Sequence, residues 1–148
     1  MSLKEQLNND LKESMKNKDK TRTETLRILK SAIKYAEIEA GAELDDTGVL
    51  AVIAKQAKQR RDSIAEFQKA QRLDLVEKET AELNILEQYL PAQLSAAEIR
   101  EKAQAIINDL GVTDMKGIGE VMKNLMAELK GQADGKVVNQ IVRQLLSN

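Results

Sequence analysis

The sequence predicts an all-α protein with two small helical subdomains, a four-helix array followed by a three-helix bundle. Apolar residues recur at intervals of three and four along most of the chain, as on one face of a helix, and no segment alternates as a strand does. One proline and seven glycines among 148 residues are too few for the many turns of an all-β fold. A chain of this length buries about 70% of its unfolded surface, which suits one domain or two small ones.

The first two helices have clear start signals. Ser2 and Glu5 have the spacing of a capping box ahead of a first helix at about 2–16, and Asp19 is a candidate N-cap for a second helix that ends near residue 39. The apolar residues expected to face inward are Leu3, Leu7, Leu11 and Met15 in the first helix and Leu26, Leu29, Ile33 and Ala36 in the second.

A loop and two longer helices follow. Gly41 and the acidic segment 45–48 predict a loop, after which a long third helix ends near residue 71. A fourth helix covers about 73–90. Pro91 stops it, because proline disfavours helical geometry in the residue before it.

Three more helices are predicted after Pro91. Ser95 and Glu98 form a second capping-box pattern, and Gly111 ends the helix that they open. The segment 117–130 reads as the next helix, and Asp134 opens the last one.

Pro91 therefore marks the predicted boundary between two subdomains. The N-terminal helical subdomain is expected at 1–90 and the C-terminal one at 96–148. The short linker between them is expected at 91–95.

The composition excludes several classes of chemistry. The chain has no histidine and no cysteine, which removes histidine-based triads, cysteine nucleophiles, Cys/His zinc sites and Glu-x-x-His di-metal sites. Glu79 and Glu82 have no histidine or aspartate beside them, so their spacing is ordinary for a charged helix. We therefore predict no catalytic residue, no metal site and no cofactor.

The sequence gives two expectations about location. No apolar run approaches the roughly 18 residues of a membrane span, and residues 1–5 lack the apolar run of a signal peptide. We expect a cytoplasmic protein that does not contact a membrane.

The net charge of −1 conceals alternating charged blocks. Residues 12–34 carry eight Lys/Arg and three Asp/Glu, and residues 55–72 carry six and two. Residues 35–54 carry five acids and no base, and residues 73–109 carry eight acids and three bases. This pattern permits a basic patch for an anionic partner, although solvated faces that neutralise one another on folding explain it equally well.

Two basic stripes are candidates for binding a polyanion. They consist of Arg27, Lys30 and Lys34 on the second helix, and Lys55, Lys58 and Arg61 on the third. Several cations along one face release counterions from a polyanion, whereas a generic charged surface remains the simpler explanation on charge alone. With three aromatic residues there is no platform for base stacking, so folded RNA held through its backbone is the expected nucleic acid, and DNA is not expected.

Two charged residues interrupt apolar stripes. Arg60 falls in the inward stripe of the third helix, and Glu79 falls in that of the fourth. Because consecutive helices tend to pack antiparallel, we expect Arg60 to pair with Glu79 or with Glu82 one turn along. An ion pair that fixes helix register is the main interpretation, and a functional anion site at Arg60 is the alternative.

Several segments together resemble a known family. They are Thr25–Lys34 (TLRILKSAIK), Arg72–Leu75, Glu79–Leu83, Tyr89–Pro91, Gly119–Lys123 (GEVMK), Gly131–Asp134 (GQAD) and Val138–Asn139. Over essentially the whole chain they resemble the GatB/YqeY family. The other branch of that family is the helical tail of the B subunit of glutamyl/aspartyl-tRNA amidotransferase, which consists of two small helical subdomains and is associated with binding the tRNA body.

The resemblance implies a tRNA-binding accessory protein without catalysis of its own, because nothing here corresponds to the catalytic domain of that B subunit. It links the chain to a carbon–nitrogen ligase that uses glutamine as amido-N-donor, and it implies an amidotransferase or an aminoacyl-tRNA synthetase as a partner. It adds Lys123, Lys130 and Lys136 as candidate tRNA contacts. The alternative is a protein–protein interaction module that uses a groove between the subdomains.

Overall fold

The computed structural model describes residues 1–129 and 131–147, and every regular element in them is helical. The predicted all-α fold is therefore confirmed. The chain divides into two compact units, Met1–Leu90 and Pro91–Asn148. The helices of the first unit are α1 (Leu3–Lys16), α2 (Lys20–Ala40), α3 (Asp46–Lys69) and α4 (Leu73–Glu87). Those of the second are α5 (Ala96–Leu110), α6 (Ile118–Leu129) and α7 (Gly135–Ser147), with a short 3₁₀ turn at Met115–Gly117.

Side-chain caps begin α1 and α5 where the sequence predicts them. The Ser2 hydroxyl accepts a hydrogen bond from the Glu5 backbone N–H at 3.2 Å, and the Glu5 carboxylate accepts one from the Ser2 backbone N–H at 3.3 Å. Ser95 and Glu98 form the same reciprocal pair. Each box satisfies two backbone N–H groups that have no partner within the helix.

The predicted loop that begins at Gly41 is present but ends earlier than expected, because residues 46–48 are the first turn of α3. Asp45 is the N-cap, and its carboxylate accepts a hydrogen bond from the Gly48 backbone N–H at 2.8 Å. Asp46 then lies in the first turn, where a negative charge is favoured by the helix dipole. A glycine is tolerated in this turn because the Asp45 carboxylate binds the Gly48 backbone N–H.

Helices α1 to α4 enclose the core of the first unit. Its buried apolar residues are Leu7, Leu11, Leu26, Leu29, Ile33, Val49, Ile53, Ala57 and Leu86. The inward position predicted for Met15 is wrong, because this side chain is 43% exposed. Ser14 takes that place, and its hydroxyl lies 2.8 Å from the hydroxyl of buried Thr23 on α2.

The second unit has its own core between α5, α6 and α7. Its buried residues are Ile99, Ala103, Ile107, Val121, Leu125, Leu129, Val138, Ile141, Val142 and Leu146. Gly111 ends α5 in the left-handed region with φ 67°, as a C-terminal glycine often does. In the part of the chain that the structure describes, no helix is both long and apolar enough to cross a membrane.

Candidate functional site

The three cations predicted as a basic stripe on α2 lie on the exposed side of the helix. Arg27, Lys30 and Lys34 are all exposed, and none has a carboxylate within 4.0 Å among the described residues. Among the described residues, the hydrogen bond of the Arg27 side chain is to the Met15 sulfur, which lies 3.4 Å from Arg27 Nη2. With a rise of about 1.5 Å per residue, the stripe from Arg27 to Lys34 extends about 10 Å along the helix.

Two of these cations line a groove between α1 and α2, called here the α1–α2 groove. It measures about 260 Å³ and is lined by Lys4, Leu7, Asn8, Lys30, Ile33, Lys34 and Glu37. A more open depression lies towards the turn between these helices and is lined by Met15, Lys18, Lys20, Thr23, Glu24 and Arg27. Lys4 and Lys18 were not predicted, because only the packing of α1 on α2 brings them to the stripe. Lys20 was also missed, although it lies on α2 itself, seven residues before Arg27.

One end of the α1–α2 groove is held by an ion pair. Lys4 Nζ lies 2.7 Å from Glu37 Oε2, and the same oxygen accepts a hydrogen bond from the Leu44 backbone N–H at 2.8 Å. The hydrogen bond to Glu37 raises the pKa of Lys4. The same bond, followed by the one from Leu44, lowers the pKa of Glu37. The carboxylate is thus kept ionised and fixed against α1.

The three cations predicted as a basic stripe on α3 do not line that groove, and two of them already have carboxylate partners. Lys58 Nζ lies 3.3 Å from Asp62 Oδ2, and Arg61 Nη2 lies 3.8 Å from Glu87 Oε1 on α4. Lys55 is exposed and has no ion-pair partner in the described part of the chain. Neither the groove nor the depression is lined by any residue of α3.

The structure brings Arg60 together with both acids named from the sequence. Arg60 Nη1 lies 3.4 Å from Glu79 Oε2. Its Nε lies 3.1 Å from Glu82 Oε2, an ion-pair distance without the angle of a hydrogen bond. The side chain of Arg60 is 18% exposed and that of Glu82 is 7% exposed. This geometry joins α3 to α4, and both carboxylates are engaged with the arginine.

A second polar cluster joins α1, α2 and the end of α4. The Tyr89 hydroxyl donates a hydrogen bond to Asp10 Oδ2 at 2.5 Å, and Arg22 Nη2 lies 3.7 Å from the same oxygen. Burial and then the bond to Asp10 raise the pKa of Tyr89 to about 12. The phenol is therefore a hydrogen-bond donor throughout the neutral pH range.

The outer face of α2 carries apolar side chains that the sequence analysis did not single out. Ile28 is 46%, Tyr35 65% and Ile38 70% exposed. Their spacing of seven and three residues places them on one side of the helix, opposite the buried Leu29 and Ile33. Exposed apolar groups on one helix face are typical of a surface that contacts a partner.

The candidates in the second unit are less well defined. Lys123 is exposed on α6 and has no ion pair among the described residues. Lys136 is exposed in the first turn of α7, where its backbone N–H donates to Asp134 Oδ1 at 2.9 Å. Asp134 thus occupies one of the N–H groups that a phosphate would need. Lys130 lies outside the described residues.

Within the described residues, no group of three or more acidic side chains is arranged to hold a metal ion.

Comparison with known proteins identifies relatives along nearly the whole chain. A family model described as Yqey-like protein matches residues 4–146. A protein of Pyrenophora tritici-repentis named altered inheritance of mitochondria protein 41, mitochondrial, is 32% identical over 145 residues, which are 93% of this chain and 77% of that protein. Proteins of the same name from Kluyveromyces lactis and Lachancea thermotolerans are each 44% identical over 70% of this chain. The chain spans 58% and 57% of their respective lengths.

These relatives contradict the expectation of a cytoplasmic protein. Their names place them in mitochondria. The expectation rested on the absence of an apolar run at the N-terminus, which argues only against a secretory signal peptide. Mitochondrial targeting uses amphipathic, Arg-rich segments, so an apolar run has no bearing on it. The cytoplasmic prediction is therefore wrong.

Proposed function

The chain belongs to the YqeY-like family, and on that premise we propose that it is a tRNA-binding accessory protein that acts by binding and not by chemistry of its own. The first unit makes the main contact, through Arg27, Lys30 and Lys34 and the α1–α2 groove beside them. An amidotransferase or an aminoacyl-tRNA synthetase acts on the same tRNA as its partner.

The observation that carries the proposal is the pairing state of the basic residues. A cation that already has a carboxylate partner gains little from a phosphate, because it exchanges one ion pair for another. Lys58 and Arg61 are in that state, whereas Arg27, Lys30 and Lys34 have no carboxylate within 4.0 Å in the described part of the chain. The α2 stripe is therefore a part of the surface where three neighbouring cations have no carboxylate partner among the described residues.

The shape of this surface favours a folded RNA. A stripe of about 10 Å places cations against successive phosphates of a backbone, and counterion release then drives binding. Recognition through the backbone and overall shape suits a structured RNA such as tRNA. In the second unit, Lys123 and Lys136 are the candidate contacts with the tRNA body.

The experiment that tests the proposal compares two charge-matched triple variants. Binding of total tRNA, and of a paired RNA duplex of similar length, is measured by fluorescence anisotropy at low salt. We expect Arg27→Ala/Lys30→Ala/Lys34→Ala to weaken tRNA binding by about tenfold or more, since three charge-assisted contacts are lost. We expect Lys55→Ala/Lys58→Ala/Arg61→Ala, which removes the same charge from α3, to weaken it by less than about threefold. Absence of tRNA binding by the unmodified protein at low salt refutes the proposal.

A second candidate function is favoured by the apolar face of α2. Ile28, Tyr35 and Ile38 form a surface that suits a protein partner. Its test is binding to a purified amidotransferase or synthetase, in which Tyr35→Ser/Ile38→Ser should lose affinity while tRNA binding is retained. Equal affinity of the variant and the unmodified protein refutes it.

A further inference from the structure

The α1–α2 groove is lined by apolar side chains at its base as well as by lysines. Leu7 and Ile33 line it, although they are only 1% and 4% exposed. Lys30 and Lys34 lie at its rim, about one helical turn apart. A surface that holds phosphates alone needs no such floor. The combination suits a ligand with both an anionic and an apolar part.

The groove has a net positive charge although it contains an ion pair between Lys4 and Glu37. Three lysines and one glutamate line it, so two net positive charges remain. Glu37 Oε2 already accepts hydrogen bonds from Lys4 Nζ and from the Leu44 N–H, and it is held at one end of the groove. Lys4 keeps two further N–H donors for a ligand, because its ammonium group carries three. An anion therefore meets lysines on both walls.

Asn8 supplies a polar group of a different kind. Its side chain lines the groove and makes no hydrogen bond to any residue that the structure describes. An amide carries two N–H donors and one carbonyl acceptor, which is the pattern needed to pair with the edge of a nucleobase. A group of this type is unnecessary for holding a bare phosphate.

We propose that the α1–α2 groove binds one unpaired nucleotide, with its phosphate between Lys30 and Lys34, its ribose and base in the groove above Leu7 and Ile33, and the base edge at Asn8. The volume of about 260 Å³ lies just below the range of ligand-sized clefts, roughly 300–1,000 Å³, and suits one nucleotide rather than a base pair. The inference rests on the proposed function, because it takes the nucleotide to be part of the bound RNA.

The first experiment titrates the full chain with AMP, adenosine and inorganic phosphate, and follows the methyl NMR signals of Leu7 and Ile33. We expect AMP to shift both signals saturably, inorganic phosphate to leave them unchanged, and adenosine to bind about tenfold more weakly than AMP, since it lacks the phosphate. Methyl signals that do not move at high AMP concentration, or that move equally with phosphate, overturn the proposal.

A matched pair of variants localises the site. Asn8→Asp places a carboxylate in the groove. Asn9→Asp makes the same change at the next residue of α1, which is also exposed but lies about 100° around the helix and does not line the groove. We expect Asn8→Asp to weaken AMP binding about tenfold or more and Asn9→Asp to leave it unchanged. Equal effects of the two variants overturn the proposal.

A further experiment with RNA tests whether the groove binds a nucleotide of the RNA or only a free nucleotide. Relative to Asn9→Asp, we expect Asn8→Asp to weaken tRNA binding about tenfold and to have no extra effect on a fully paired duplex. If the unmodified protein binds tRNA but the two variants are weakened equally, the groove assignment is overturned and the proposed function stands. If AMP binds and tRNA does not, the proposed function fails and the RNA origin of the nucleotide is overturned with it.

Discussion

The ion pair of Arg60 gives the sharpest prediction about stability. Replacing Arg60 by methionine keeps much of the apolar stem but leaves Glu79 and Glu82 without a cation, at 15% and 7% side-chain exposure. Breaking a buried ion pair costs about 3–5 kcal/mol, and because Arg60 is 18% exposed we expect the lower end, about 3 kcal/mol. With a urea dependence of about 2 kcal/mol per molar, the unfolding midpoint should fall by about 1.5 M.

The assay and its control use features of this chain. Both tyrosines, Tyr35 and Tyr89, belong to the first unit and there is no tryptophan, so tyrosine fluorescence during urea unfolding reports on that unit. The control is Lys58→Met, because Lys58 also forms an ion pair on α3 but is 49% exposed. It should change the free energy of unfolding by less than about 1 kcal/mol. A loss below about 1 kcal/mol for Arg60→Met would refute the argument that its burial makes the pair important.

Two further predictions concern packing and pH. Gly117→Ala would put a Cβ atom in steric conflict with Val112 Cγ1, so the free energy of unfolding, measured by circular dichroism in urea, should fall by about 1–3 kcal/mol. Gly119→Ala, whose Cβ would meet nothing within 4 Å, should leave it equal or higher, and equal losses in both variants would contradict the packing argument. The pKa of Tyr89 is raised to about 12, so the folded protein keeps this proton after the unfolded chain loses it near pH 10. The free energy of unfolding should therefore fall as the pH rises from about 10 to about 12. Urea midpoints between pH 9 and 11 should fall more steeply for the unmodified protein than for Tyr89→Phe, and parallel curves would rule this out.

The fold was predictable wherever one local interaction decides the structure. Ser2 and Ser95 begin α1 and α5 because each hydroxyl satisfies a backbone N–H three residues on, which the sequence spacing alone reveals. The start of α3 was missed because an Asp-rich segment with Gly48 has the composition of a loop. In the structure Asp45 caps this segment, and the residues after it form the first turn of the helix. Met15 was misplaced because periodicity cannot foresee that Ser14 turns inward to meet Thr23.

The candidate site was predictable only along one helix at a time. The spacing of Arg27, Lys30 and Lys34 is enough to place them on one side of α2. Periodicity does not show that Lys4 of α1 completes the groove beside them, or that Arg61 pairs with Glu87, 26 positions further along the chain. Those contacts depend on helix packing, and they decide which cations lack a carboxylate partner.

The salt dependence of tRNA binding tests the central claim most directly. The logarithm of the binding constant falls linearly with the logarithm of the salt concentration, by about 0.7–0.9 for each phosphate neutralised. If the α2 stripe makes the contact, Arg27→Ala/Lys30→Ala/Lys34→Ala should make that slope shallower by about 2–3, while Lys55→Ala/Lys58→Ala/Arg61→Ala should leave it nearly unchanged. A slope that is the same in the α2 variant and in the unmodified protein would contradict the account.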